Sequence, residues 1–142
     1  MTFREILEHE LQRRCARNPR YSLRAFARAL AVDHSALSQL LRGRRRMTTR
    51  AIRQIGAMLR LDSHEIEMHC AEENDAALLR VIDTDLFRAD SRRLASVLGI
   101  PMDEVNVSLQ RLLRLGALRM TAANRWEVSD GQSRRAMADR RA

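Results

Sequence analysis

The chain has 142 residues, 45% of them hydrophobic, and a formal net charge of +8 carried by 26 basic residues against 18 acidic ones. All 26 basic residues are arginine. This length accommodates one large or two small domains with real cores, and no apolar run approaches the roughly 18 residues that span a bilayer. The start, MTFREILEHE, is charged within a few residues and predicts no secretory leader. Cys15 and Cys70 are single and far apart, which reads as reduced thiols of a cytoplasmic protein rather than a disulfide.

The charge is unevenly spread. Residues 1 to 61 carry net +10, residues 62 to 90 carry −7 and residues 91 to 142 carry +5. Two basic lobes therefore flank an acidic connector, and a basic lobe is the electrostatic footprint of a nucleic-acid partner. An arginine-rich composition alone explains the residue type but not this segregation.

In chain order, the first predicted element runs from about Thr2 to Arg17. Phe3, Ile6, Leu7, Leu11 and Cys15 recur at three- and four-residue steps and make one apolar face. Asn18 and Pro19 stop it. Ser22 then caps a short helix ending near Leu30, and Asp33 caps a second. Phe26, Leu30, Val32, Leu37 and Leu40 are spaced to bury one side of this helix, turn and helix, with small Ala27 at the closest approach.

That pattern leaves His34, Ser35, Ser38, Gln39 and Arg42 on the outward face of the second helix. In a helix-turn-helix the second helix lies in the major groove with its N-terminal side chains at base edges. These five are accordingly the candidate base readers. Gly43 turns the backbone, and Arg44, Arg45 and Arg46 follow in a loop beside the groove. With Ser22 and Arg24 they are the candidate phosphate contacts, which supply affinity and register rather than sequence information.

Thr48 or Thr49 caps a further helix whose buried stripe is Ile52, Ile55, Leu59 and Leu61. Ser63 starts a fifth, with Ile66 and Met68 as apolar positions. His64, His69 and Cys70 lack the i, i+4 spacing of helical metal ligands. No metal site or other cofactor is expected. With no Ser/His/Asp constellation, no Gly-rich phosphate loop and no carboxylate pair in an apolar setting, an enzyme is not expected either.

Leu78, Leu79, Ile82 and Leu86 then mark a helix from Asp75 to Leu86 that opens a second domain. There Leu94, Ala95, Leu98, Gly99, Ile100 and Val105 fall at the spacings of Phe26, Ala27, Leu30, Ala31, Val32 and Leu37, offset by 68 residues. Val105, Leu109 and Leu112 stripe a helix ending near Gly116. Leu118 to Thr121 and Trp126 to Val128 read as two short strands joined through Ala123 and Asn124. Three helices and a hairpin make a winged helix. Its outward positions include Asp103, whose charge repels phosphate, although acids are also favourable in a helix's first turn. Asn106, Gln110, Arg111, Arg114 and Arg125 are its candidate auxiliary DNA or partner contacts. Residues 130–142 read as a flexible basic tail.

The stretch SLRAFARALAVDHSALSQLLRGRRRMTTRAIRQIGAMLRL resembles the Cro/cI-type (XRE) helix-turn-helix domain, through Phe26-Ala27, Leu30, Val32, Ser38 and the Gly-Arg-Arg exit at Gly43. Together with LGIPMDEVNVSLQRLLRLGAL and NRWEV, the segment NPRYSLRAFARAL is similar to a bacterial family joining an XRE-like domain to a winged-helix-like domain of unknown function. Members of that family generally continue beyond the wing. Ala31 departs from the pattern, standing where the turn usually carries glycine at a cost on the order of 1 kcal/mol.

The sequence thus predicts a mainly α protein. Residues 1–72 form a four- or five-helix XRE-type domain and residues 73–129 a winged-helix-like domain with a small two-stranded hairpin. The resemblance and charge pattern imply a bacterial, cytoplasmic transcriptional regulator that binds double-stranded DNA as a homodimer. Half-sites would lie about one helical turn apart. Its partners would be DNA, a second copy and, through the second domain, possible protein contacts, with no membrane. The alternative is a protein-interaction adaptor built on helix-turn-helix scaffolds.

Overall fold

The computed structural model describes residues 1–83, 90–121 and 125–129. The chain is mainly helical and divides into two compact units, Met1–Cys70 and the chain from Ala71 onward. No helix among the described residues is long and apolar enough to cross a membrane.

The first unit holds α1 (Phe3–Arg17), α2 (Leu23–Ala29), α3 (His34–Leu41), α4 (Thr49–Met58) and the beginning of α5 (Ser63–Asp83). Each of the first four begins at a hydroxyl or carboxylate cap. Thr2 and Glu5 form a reciprocal capping box on α1, while Ser22, Asp33 and Thr48 accept from the backbone N–H groups of Ala25, Ala36 and Ala51. Thr48 is therefore the cap of α4, and Thr49 is buried. The core gathers Phe3, Leu7, Phe26, Leu30, Leu37, Leu40, Ile52, Ile55 and Cys70, with Val32, Leu59 and Leu61 half-buried at its margin. Gly56 is needed for closeness: a Cβ there would sit 2.8 Å from Ile66 Cγ1. Any larger residue would force the Ile66 side chain or the α4–α5 packing to shift.

The second unit contains the later turns of α5, then α6 (Ser91–Leu98), α7 (Met102–Arg114), β1 (Leu118–Thr121) and β2 (Arg125–Val128). Leu78, Leu94, Val105, Leu109, Leu112, Leu118 and Val128 are its buried centre. The strands pair antiparallel with Leu118 opposite Val128 and Met120 opposite Trp126. That register sends Leu118 and Val128 inward together, while Arg119 and Glu127 meet on the outer side at 3.2 Å. Ala123, Asn124 and the tail at 130–142 lie outside the described residues.

The two separate helices expected from Ser63 and from Asp75 are one. α5 runs unbroken from Ser63 to Asp83. The physical reason is in its sequence, SHEIEMHCAEENDAALLRVID, which contains neither glycine nor proline to interrupt the hydrogen-bond ladder. Ile66 is half-buried on it and Met68 is half exposed, so Met68 is not part of the core stripe. Leu86, the predicted end of the second helix, lies outside the described residues.

Candidate nucleic-acid interface

The α2–turn–α3 segment is built by an unusual backbone. Ala31 adopts φ 56°, the left-handed conformation that glycine reaches without penalty. Two contacts hold it there. Val32 N–H donates to the Ala27 carbonyl at 3.0 Å, the six-to-one bond of a Schellman ending, and Gln54 Nε2 of α4 donates to the Ala31 carbonyl at 2.9 Å. The apolar residue after the turn, Val32, then packs against the core. The chain can therefore afford a non-glycine residue at the tightest point of the turn.

Beyond the turn, the buried side of α3 is Leu37 and Leu40. Ser35, Gln39 and Arg42 are exposed, and His34 and Ser38 are half-buried at the edge of the same outward face. The five predicted base readers are thus brought together on one eight-residue helix and its C-cap. Asp33 beside them is engaged at the helix N-terminus through Ala36 N–H, 3.1 Å away. Its negative charge is placed where the helix dipole favours it.

The α3 exit is similarly fixed. Gly43 has φ 71°, and Arg44 N–H reaches back to the Gln39 carbonyl at 2.9 Å. Arg4, from the first turn of α1, donates through Nε to the Leu40 carbonyl at 3.2 Å. Its guanidinium lies over Gly43, where an added Cβ would come 3.3 Å from Nη1. Arg44 and Arg45 are exposed. Arg46 differs from them: it is half-buried, with Nε and Nη2 withdrawn from solvent. Of the three loop arginines it is the one built into the unit. Ser22 caps α2, and Arg24 is exposed one residue into that helix, with Arg28 exposed one turn further on.

α1 braces the start of α2. Arg14 donates to Tyr21 Oη at 3.0 Å and to Glu10 at 2.8 Å, and its guanidinium stands 5.3 Å from the centre of the Phe26 ring. The hydrogen bonds to Tyr21 and then Glu10 raise the Arg14 pKa above the ordinary arginine range. In turn Arg13, and secondarily Arg14, hold the Glu10 carboxyl below its usual value against the opposing effect of burial.

In the second unit, α7 presents Met102, Asp103, Asn106, Val107, Gln110, Leu113 and Arg114 outward. Arg111, a predicted contact residue, is committed elsewhere. Its Nε and Nη2 donate to both carboxylate oxygens of Asp75 at 2.8 and 2.7 Å, and Ser108, wholly buried, donates to the same carboxylate. This bidentate bond raises the Arg111 pKa, so the guanidinium stays charged and tied to α5. Asn74, almost fully buried, donates to Glu104 at 3.2 Å. Arg125 is exposed on β2.

Sequence reasoning passed over Arg4, Gln54 and Asp75. Gln54 and Arg4 are single polar residues in amphipathic helices, with no local spacing to distinguish them. Asp75 was visible only as one of many acids in an acidic stretch. Among the described residues no three His, Cys, Asp or Glu side chains are grouped to hold a metal ion. In comparisons with protein-family models, curated proteins and solved structures, nothing matches this chain.

Proposed function

We propose that this protein is a sequence-specific double-stranded DNA-binding regulator of the Cro/cI (XRE) type, with α3 as the recognition helix in the major groove. The observation that carries this reading is the α3 face itself. Exposed Ser35, Gln39 and Arg42 lie in a row on a helix that is clamped at both ends, and exposed Arg44 and Arg45 follow immediately. Short polar side chains on a rigid helix suit base edges, and flanking arginines suit phosphates. Ser22 and Arg24 at the start of α2 extend the phosphate-binding side.

The second unit is read as a winged-helix-like module, α6 and α7 with the β1–β2 hairpin as wing. Its α7 face is partly apolar and carries an outward carboxylate, which favours protein contact over groove contact. The regulator acts as a homodimer without enzymatic activity. A two-fold partner doubles the phosphate contacts of a protein whose single groove contact is small.

The test is selection of duplexes from a random pool by the purified protein, followed by two variants. Gln39→Ala should reduce preference for the selected sequence by about 1–3 kcal/mol. Arg45→Ala should weaken all duplexes alike and lower the slope of log affinity against log salt by roughly one. If neither change alters duplex binding, the DNA reading fails and the adaptor reading takes its place.

A further inference from the structure

The charged residues of α7 come in two pairs, Asp103 and Glu104 in its first turn and Arg111 and Arg114 in its last. The fold divides each pair. Glu104 accepts from Asn74 and Arg111 is locked to Asp75, both on α5. That leaves Asp103 and Arg114 exposed at opposite ends of the helix. Between them on the same face lie Val107 and Gln110, at steps of four, three and four residues, the spacing of a helix–helix seam. Val107 within the stripe is 56% exposed, and Met102 at 44% and Leu113 at 40% flank it on one side.

A second copy of this face is its own complement. When two α7 helices lie antiparallel about a two-fold axis passing beside Val107 and Gln110, Asp103 of each comes opposite Arg114 of the other. Val107 then falls beside Gln110 of the partner copy, and Met102 approaches Leu113 of that copy along one flank of the seam. The antiparallel arrangement also opposes the two helix dipoles favourably. We infer that the exposed face of α7 is the homodimer interface of this protein, closed by two symmetric Asp103–Arg114 ion pairs around Val107 and Gln110, with Met102 and Leu113 along one flank. This rests on the reading of the protein as a homodimer and supplies its interface. α7 spans only about 20 Å at 1.5 Å per residue, so the contact is small and the association belongs in the micromolar range. DNA carrying two half-sites would strengthen it.

Charge reversal tests both the surface and its direction. Full-length Asp103→Arg and Arg114→Asp each place like charges together twice in a homodimer. Each should weaken self-association in sedimentation equilibrium by roughly ten- to a hundredfold. An equimolar mixture of the two restores opposite charges at both contacts and should return the dimer to near wild-type strength. Circular dichroism checks that each variant keeps its helix content. Val107→Arg, which brings two cations to the axis without touching the helix ends, should also give a monomer.

Three outcomes overturn the inference. A wild-type dimer unaffected by any of the three variants puts the interface elsewhere and leaves the homodimer reading standing. Weakening by both reversals without rescue in the mixture rules out the antiparallel pairing. A wild-type chain that stays monomeric at hundreds of micromolar, with and without duplex, removes the interface and the homodimer reading together. DNA recognition is scored separately through Gln39 and Arg45.

Discussion

At an offset of 68 residues, the α2–α3 and α6–α7 pairs match in backbone detail and part company in chemistry. Ser22 and Asp90 cap their first helices, and Phe26 and Leu94 are completely buried at the same step. Ala31 and Gly99 both take left-handed backbone, φ 56° and 65°. Val32 N–H bonds the Ala27 carbonyl just as Ile100 N–H bonds that of Ala95. The difference begins at the second helix. Asp33 caps α3 with its side chain, whereas Pro101 starts α7 with no side-chain cap. The outward face then changes from serine, glutamine and arginine to a mixture of methionine, valine and leucine with aspartate, asparagine, glutamine and arginine. The lesson is that this turn is specified by burial and hydrogen bonding on the inner side, leaving the outer side free to take on separate work.

Substitutions at matched positions can break that equivalence or sharpen it. The largest effect is expected in the cores: Phe26→Ala should cost about 3–5 kcal/mol and Leu94→Ala about 2–5 kcal/mol. Denaturant unfolding followed at Trp126, which belongs to the second unit, would respond directly to Leu94→Ala. If the units unfold independently, it would be blind to Phe26→Ala. Equal responses at Trp126 would show that the two units melt as one.

Next in size is the carboxylate that ties α5 to α7 in the second unit. Asp75→Ala removes the acceptor for both Ser108 and Arg111 and leaves these two α7 donors without it. We expect a loss of about 1–3 kcal/mol in stability, mostly from groups deprived of a partner. Asp75→Asn keeps a carbonyl acceptor, and recovery of part of the loss would separate hydrogen bonding from charge.

The smallest and most discriminating comparison exchanges the turn residues. Ala31→Gly relieves left-handed strain and should stabilise by about 1 kcal/mol, and Gly99→Ala should destabilise by a similar amount. No atom lies within 4 Å of a Cβ added at Gly99, so its cost is backbone strain alone. A neutral Ala31→Gly would mean that the extra freedom glycine gives the unfolded chain offsets the relieved strain.

The sequence was legible wherever structure depends on near neighbours. Serine and aspartate ahead of apolar periodicity marked the caps at Ser22 and Asp33, threonine narrowed that of α4 to Thr48 or Thr49, and the alternation in Leu118–Thr121 and Trp126–Val128 marked the hairpin. The offset repeat pointed to the second left-handed turn at Gly99. What escaped depends on groups distant in the chain. Asp75 meets Arg111 across 36 residues, and Arg4 meets Leu40 across another 36. Nothing local distinguishes Asp75 from Glu72 or Glu73. The continuity of α5 escaped for a different reason. Ile66 and Met68 on one side and Leu78, Leu79, Ile82 and Leu86 on the other read as two separate apolar stripes, although without glycine or proline the backbone has no cause to break.

The contact of Arg4 with the α3 exit has a consequence for the cost of recognition. Loops that order only on meeting a ligand give up part of the binding energy to immobilise themselves. Here the bend at Gly43 is already held under a guanidinium from α1 and tied back to Leu40 and Gln39. If Arg44 and Arg45 meet phosphates as proposed, they arrive on a backbone whose freedom was spent during folding. A change at position 4, far from any duplex in sequence terms, would then show up as a looser and entropically costlier complex.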